Sequence, residues 1–174
     1  MNKFDASIIE KNIDYEFHDK SLLKQAMSHS SYVNEIKIKG YRSYERLEFL
    51  GDAVLELISS EYLYEHYGDM PEGKLTKLRA SIVCEFTLSS VSKQLGYGDF
   101  VLLSKGEELT GGRNRNSILC DLFEAVLGAI YLDGGMEPAK KYVHTFLMTD
   151  IESKQLFYDA KTTLQEMVQK NGLN

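Results

Sequence analysis

Five carboxylates fall at spacings that suit chemistry. Glu45, Glu48 and Asp52 stand at i, i+3 and i+7, and at 100° per residue a helix brings them within about 60° of one another. Asp121 and Glu124 repeat the i, i+3 step inside an otherwise strongly apolar run from Ser117 to Gly128. For the first helix alone the simpler reading is a solvated acidic face. The second helix changes this, because isolated acids are rarely placed in apolar surroundings without partners. If the two helices face each other, up to five carboxylates converge, and their repulsion costs stability unless something positive sits among them. Such a set suits hard, oxygen-seeking cations, Mg²⁺ or Mn²⁺, and phosphoryl chemistry follows from them.

Other chemistries fit less well. A di-iron bundle gathers carboxylates through Glu-x-x-His pairs, and none of His18, His29, His66 and His144 has a Glu three residues before it. The histidines lack metal-pair spacing and read as packing or hydrogen-bonding residues. Cys84 and Cys120 are far apart in the chain, in apolar surroundings and without C-x-x-C spacing, so they read as core thiols rather than a disulfide or a zinc site.

The elements that must hold the acids are helices. Only Pro71 and Pro138 interrupt the 174 residues, where ordinary usage gives about eight or nine prolines. Apolar residues at helical spacing run through 19–29, 44–66, 72–95, 117–132 and 137–149, with turn signals between them. Residues 100–103 are the one strand-like stretch, too short to found a sheet. The expected fold is all-α over residues 1–150. On the first acidic helix Leu47, Leu50, Val54 and Ile58 form the core stripe opposite the acids. Gly51 and Gly128, each costing about 1 kcal/mol in a helix, point to close approach of two helix backbones. Phe49 lies on the acidic side, away from that stripe. It must be covered by another segment of the domain or by a second subunit, and geometry alone leaves these even.

Hydrophobic residues make up 43% and charged residues 26% of the chain, which excludes a disordered tail or a fibre. No apolar run reaches the roughly 18 to 20 residues of a membrane helix, and no signal segment opens the chain. A cytoplasmic protein without membrane contact is expected. The net charge of −6 argues on its own against nucleic acid. Yet positive charge is grouped at Lys37, Lys39, Arg42 and Arg46, at Lys74, Lys77 and Arg79, and at Arg113 and Arg115. Basic ridges around an acidic centre are what a metal-dependent nuclease needs, although a solvated mixed-charge surface has the same composition.

The run Glu45-Arg-Leu-Glu-Phe-Leu-Gly-Asp52 with Ala-Val-Leu after it closely resembles the signature segment of the ribonuclease III family. Ala26 to Glu35, Pro71 to Ala80 and Gly111 to Ala125 resemble the family's other segments in the same order, together covering most of residues 20–135. The resemblance implies an all-α endonuclease domain forming a helical homodimer, cutting double-stranded RNA, such as rRNA precursors, to 5′-phosphate and 3′-hydroxyl ends. It implies that Glu48, Asp121 and Glu124 ligate Mg²⁺, for which Mn²⁺ can substitute, and that Asp52 works beside Glu124, helping to position a metal and its water. Glu45 would support the site at its edge, and Phe49 would belong to the subunit interface. No small-molecule cofactor is expected. Lys74, Lys77, Arg79, Arg113 and Arg115 are the candidates for phosphate contacts, since A-form RNA is recognised by shape, and Asn116 or Ser117 for the cap of the second acidic helix. The sequence departs from the family at Tyr44, usually Asn; at Cys120, usually Ala; and at Ser30, often basic.

After Thr149 a short mixed segment, 151–158, reads as a linker, and a fresh amphipathic helix starts near Ala160. Residues 159–169 resemble the opening of a double-stranded-RNA-binding domain, which implies that Gln165 and Glu166 face RNA, with Thr162 nearby. On that reading 159–174 is the truncated start of such a domain, and residues 151–174 are expected to be poorly ordered or to pack opportunistically. The rival function is a dimeric RNA-binding module of the same fold that does not cleave. It has no chemical reason to hold five carboxylates together against their repulsion.

Overall fold

The two acidic segments become two long helices, α4 (Glu45–His66) and α9 (Asn116–Gly134), which cross at the centre of the protein. A computed structural model describes residues 4–170, with side chains as far as residue 165. Before α4 come α1 (Ala6–Ile13), α2 (Lys20–Ala26) and α3 (Ser30–Ile36). Between the long helices lie α5 (Glu72–Val83), α6 (Glu85–Gln94) and the short α7 (Tyr97–Phe100) and α8 (Lys105–Leu109). After α9 the chain folds into α10 (Met136–Leu147) and α11 (Ile151–Lys170).

Helix α9 is apolar almost all round, so it is buried on every side but one. Leu122, Phe123, Ala125, Val126, Leu127, Ala129 and Ile130 are wholly inaccessible, packed among α2, α4, α6 and α10. The core stripe expected on α4 holds for Leu47, Val54 and Ile58, with Leu55 joining them, while Leu50 is half-buried.

The periodic run 72–95 is two helices. Cys84 adopts extended backbone (φ −71°, ψ 154°), and the Thr87 hydroxyl donates to the Ser81 carbonyl at 2.9 Å, satisfying an acceptor left over at the end of α5. The strand-like stretch makes one isolated bridge, between Ser28 and Leu102. Residues 151–158 are the first two turns of α11. No glycine or proline interrupts 151–170, and the helix begins after Asp150, which turns the chain with φ 50°. It lies against α5; Ile151 is buried, and Phe157 stacks on Phe86 of α6 at 4.2 Å.

The N-terminal segment is tied across the fold by Asp133, at the end of α9. Its carboxylate, 2% exposed, accepts from the Tyr15 hydroxyl (2.6 Å), the His18 amide (2.9 Å) and the Asp19 amide (2.8 Å). These donors hold its pKa down to about 2 against the cost of burial.

Candidate active site

The sequence places glycine at the point where α4 and α9 touch. A Cβ on Gly51 would overlap the Glu124 carbonyl, 2.6 Å from its carbon, and one on Gly128 would overlap the Leu47 carbonyl, 3.1 Å from its carbon. Main chain meets main chain there. The contact brings the turn of α4 that carries Glu48 and Asp52 against the turn of α9 that carries Glu124, and both acids act on Glu124 through their charge.

Tyr44 sets the register. It is 3% exposed, its amide donates to the Ser28 carbonyl at 2.9 Å, and its hydroxyl donates to Asp121 at 3.0 Å. The start of α4 is thereby pinned to the acidic face of α9. Burial and the neighbouring charges of Asp121, Glu48 and Glu45 push the phenol far above its ordinary range, so it stays a donor.

The carboxylates share one electrostatic field. Burial pushes Glu48 up to about 7, with Asp121, Glu45 and Asp52 adding to it. Glu124 is pushed up to about 8 by burial and then by Asp52, Glu48, Asp121 and Glu56. Asp121 also rises through burial, opposed by the Tyr44 hydroxyl and by His29. Asp52 and Glu45 are exposed, and the Ser43 hydroxyl donates to Glu45 at 3.2 Å. The five acids named from spacing therefore influence one another electrostatically around the crossing, with Glu45 and Asp52 at its exposed side.

Three residues join them that spacing did not name. Glu56 continues the acidic stripe of α4 one turn beyond Asp52, a signal present in the sequence. Tyr44 and Cys120 had no such signal. Cys120 is half-buried beside the carboxylates rather than in the core, and ligand atoms of Cys120, Asp121 and Glu124 lie within 4.8 Å of one another. Its thiol is pushed up by burial, by Glu124 and Asp121, and then by Glu85 and Cys84. Donors of this kind, rich in carboxylate oxygen and short of positive charge, fit a divalent cation.

The basic candidates divide. Lys74 and Lys77 are exposed on α5. Arg79 pairs with Glu56 at 2.9 Å and donates to the Ser60 hydroxyl at 2.7 Å. Arg113, 19% exposed, turns inward to the Gly98 and Val101 carbonyls (3.1 and 2.8 Å) and pairs with Glu108 at 2.8 Å. Arg115 pairs with Glu107 at 2.5 Å. No side chain caps α9; Asn116 instead accepts from Lys93 at 2.8 Å. Gln165 is exposed on α11, and the Glu166 side chain lies outside the described residues. Phe49 is 80% exposed.

A family model described as ribonuclease-III-like matches residues 19–151. The chain is 50% identical over 165 residues to Ribonuclease 3 of Bacillus velezensis, covering 94% of this chain and 66% of that protein. It is 52% identical over 158 residues to Ribonuclease 3 of Enterococcus faecalis, covering 90% and 69%. A solved nuclease domain of ribonuclease III from Campylobacter jejuni superposes with a TM-score of 0.77 at 42% identity, over 84% of this chain and 98% of that one. The chain thus spans about two thirds of the length of its Bacillus relative. The matching segments contain all five converging carboxylates, and by this likeness in sequence and fold the chain belongs to the ribonuclease III family.

Proposed function

We propose that this chain is the nuclease portion of a divalent-cation-dependent endoribonuclease that cleaves double-stranded RNA, structured RNAs such as ribosomal RNA precursors among them, to 5′-phosphate and 3′-hydroxyl ends. The observation that carries the reading is the shared field of Glu48, Asp52, Asp121 and Glu124, two of them displaced to about 7 and about 8 by burial and then by the charges of their neighbours. These four would hold Mg²⁺ or Mn²⁺, which when bound supplies Lewis acidity toward the phosphodiester and the attacking water. The protein's own part is positional. The α4–α9 contact fixes the separation of Glu48 from Glu124, and Tyr44 orients Asp121. Asp52 and Glu45, both exposed, stand where a strand and its water arrive. A bound cation would favour the ionised forms of Glu48 and Glu124.

A homodimer follows from the exposed face of α4. Phe49, Leu57 and Tyr64 are 80%, 58% and 78% exposed and fall on one stripe at helical spacing, beside a groove of about 540 Å³ lined by Leu57, Tyr64 and Leu75. An apolar stripe next to an apolar groove suits a second copy related by a two-fold axis. In the Campylobacter jejuni nuclease domain, a region involved in dimer formation is structurally flexible. Two symmetric sites would then each cut one strand of a duplex. Residues 159–174 are read as the start of a double-stranded-RNA-binding domain, with Gln165 and Glu166 toward RNA.

The test is cleavage of a long duplex RNA at low salt with Mg²⁺ or with chelator, beside single-stranded RNA and duplex DNA. Mg²⁺-dependent cutting confined to duplex RNA is expected. Glu124→Gln should abolish cutting and spare duplex binding. A folded parent that cuts nothing supports the non-cleaving module instead, and a variant that cuts normally removes α9 from the chemistry.

A further inference from the structure

The basic groups of this chain have different fates. Arg79, Arg113 and Arg115 each close an ion pair within the fold. Lys37, Lys39, Arg42 and Arg46, with Lys24 nearby, close none among the described residues, and all five are exposed.

Two of them share a built surface. Lys24 on α2 and Arg42 on the loop before α4 line one groove of about 200 Å³ with Gln25, Gly40 and Tyr41. Its walls are fixed. The Lys24 ammonium stands over the Tyr41 ring at 5.7 Å, and the Tyr41 and Ser28 hydroxyls hydrogen-bond at 2.9 Å, with Ser28 wholly buried. The Gln25 amide donates to the Ser43 carbonyl at 3.1 Å, holding the loop against α2. Cations gathered on one surface repel, and in a chain of net charge −6 none of these has drawn an acid to itself. The groove is complementary to an anion from outside.

Its position says which anion. Two residues beyond Arg42, the Tyr44 hydroxyl donates to Asp121 in the carboxylate cluster. Extended chain advances about 3.3 to 3.6 Å per residue, so the two Cα atoms are at most about 7 Å apart. With the Arg42 and Tyr44 side chains added, the groove and the carboxylates lie within a few nucleotides of one strand, each advancing about 3.4 Å along the helix axis. A strand with one phosphate at the carboxylates carries neighbouring phosphates past Arg42 and Lys24.

We propose that the Lys24–Arg42 groove is a phosphate subsite for the backbone of duplex RNA, steering it onto the α4–α9 crossing. The inference rests on the reading of the chain as a duplex-RNA nuclease. Lys37 and Lys39, on the same loop, extend the field, and Tyr41 shapes the groove beneath the ammonium. The site reads charge and spacing only, so it acts on any sequence.

The test measures duplex-RNA affinity of the whole chain in chelator, by fluorescence anisotropy from about 50 to 200 mM salt. It compares the parent, Lys24→Gln with Arg42→Gln, Arg42→Lys, and Lys11→Gln as an exposed lysine on α1. Circular dichroism confirms that each is folded. Each phosphate contact contributes about 0.9 to the logarithmic salt slope. The double variant should therefore have a slope shallower by about two, losing roughly tenfold less affinity over that range than the parent, while Arg42→Lys and Lys11→Gln keep the parental slope. An unchanged slope in the double variant, with a parent that binds RNA, overturns the subsite and leaves the nuclease reading intact. A parent that binds no duplex RNA at the lowest salt overturns both.

Discussion

Adding one methyl group at the helix crossing tests how the site is held. In Gly51→Ala the new Cβ would sit 2.6 Å from the carbonyl carbon of Glu124 and 3.1 Å from the Gly128 amide nitrogen. Ordinary contact begins near 3.4 Å, so the carbonyl carbon alone asks for about 0.8 Å, and the Glu124 carbonyl oxygen, nearer still, makes α4 and α9 part by more than that. The obstacle is main chain, which has no rotamer to offer. Overpacking costs typically about 1 to 3 kcal/mol, and main-chain obstruction places this change at the upper end. Alanine returns about 1 kcal/mol of helix propensity. A net loss of about 2 kcal/mol lowers the melting temperature by roughly 4 to 8 °C in a chain of this size. Gly73→Ala on α5 is the control, because nothing lies within 4 Å of its Cβ, and propensity alone should make it neutral to stabilising. Parting the helices also separates Glu48 from Glu124, and a misplacement of about 1 Å can cost about 100-fold in rate. Thermal melts by circular dichroism with the duplex-cleavage assay read both effects. If Gly51→Ala melts at or above the parent and cuts at full rate, the backbone contact is not what spaces the carboxylates.

The acids predict how stability depends on pH. Glu48 and Glu124 are raised in the folded state, so their contribution is fully present below the unfolded value near 4.5 and is lost as pH rises through about 7 and about 8. Without divalent ions the melting temperature should fall between pH 5.5 and pH 8.5, and Mg²⁺ should restore more at the higher pH; a flat profile in chelator contradicts the shared field. Asp133 has the opposite sign: its pKa, held at about 2, gives stability present above the unfolded value near 3.9 and lost as pH falls toward 2. Asp133→Asn should cost about 2 to 4 kcal/mol at neutral pH and flatten the acid limb of a denaturation curve, and an unchanged acid limb rules the assignment out. Phe49→Glu should shift sedimentation equilibrium toward monomer, and an unaltered dimer would place the interface elsewhere.

The acidic face of α4 was legible because helical geometry turns i, i+3, i+7 spacing directly into neighbourhood, and the same rule extended one turn reaches Glu56. Glycine at 51 and 128 announced the close approach, since little else explains it inside a helix. What pairs across the fold was not legible. Tyr44 and Asp121 are 77 positions apart, and nothing local to either names the other. Arg113 shows the same limit from the other side. Its charge is plain in the sequence, but the Gly98 and Val101 carbonyls that take it inward exist only once α7 has turned. The break at Cys84 carries neither glycine nor proline. It arises from a side-chain hydrogen bond from Thr87 that supplants a turn of helix, which periodicity does not see.

Asp133 has a consequence for how the chain is born. Its partners Tyr15, His18 and Asp19 precede it by 118, 115 and 114 residues, so that earlier segment waits for the end of α9 before it has this anchor. At about 5 to 20 residues per second, that wait is several seconds to tens of seconds. The carboxylate site waits as well, because half of it is on α4 and half on α9. A nascent chain that has not yet delivered α9 holds only the acids of α4 and no crossing, and so lacks the assembled cleavage site. Synthesis itself thus keeps the nuclease silent until its fold can be completed.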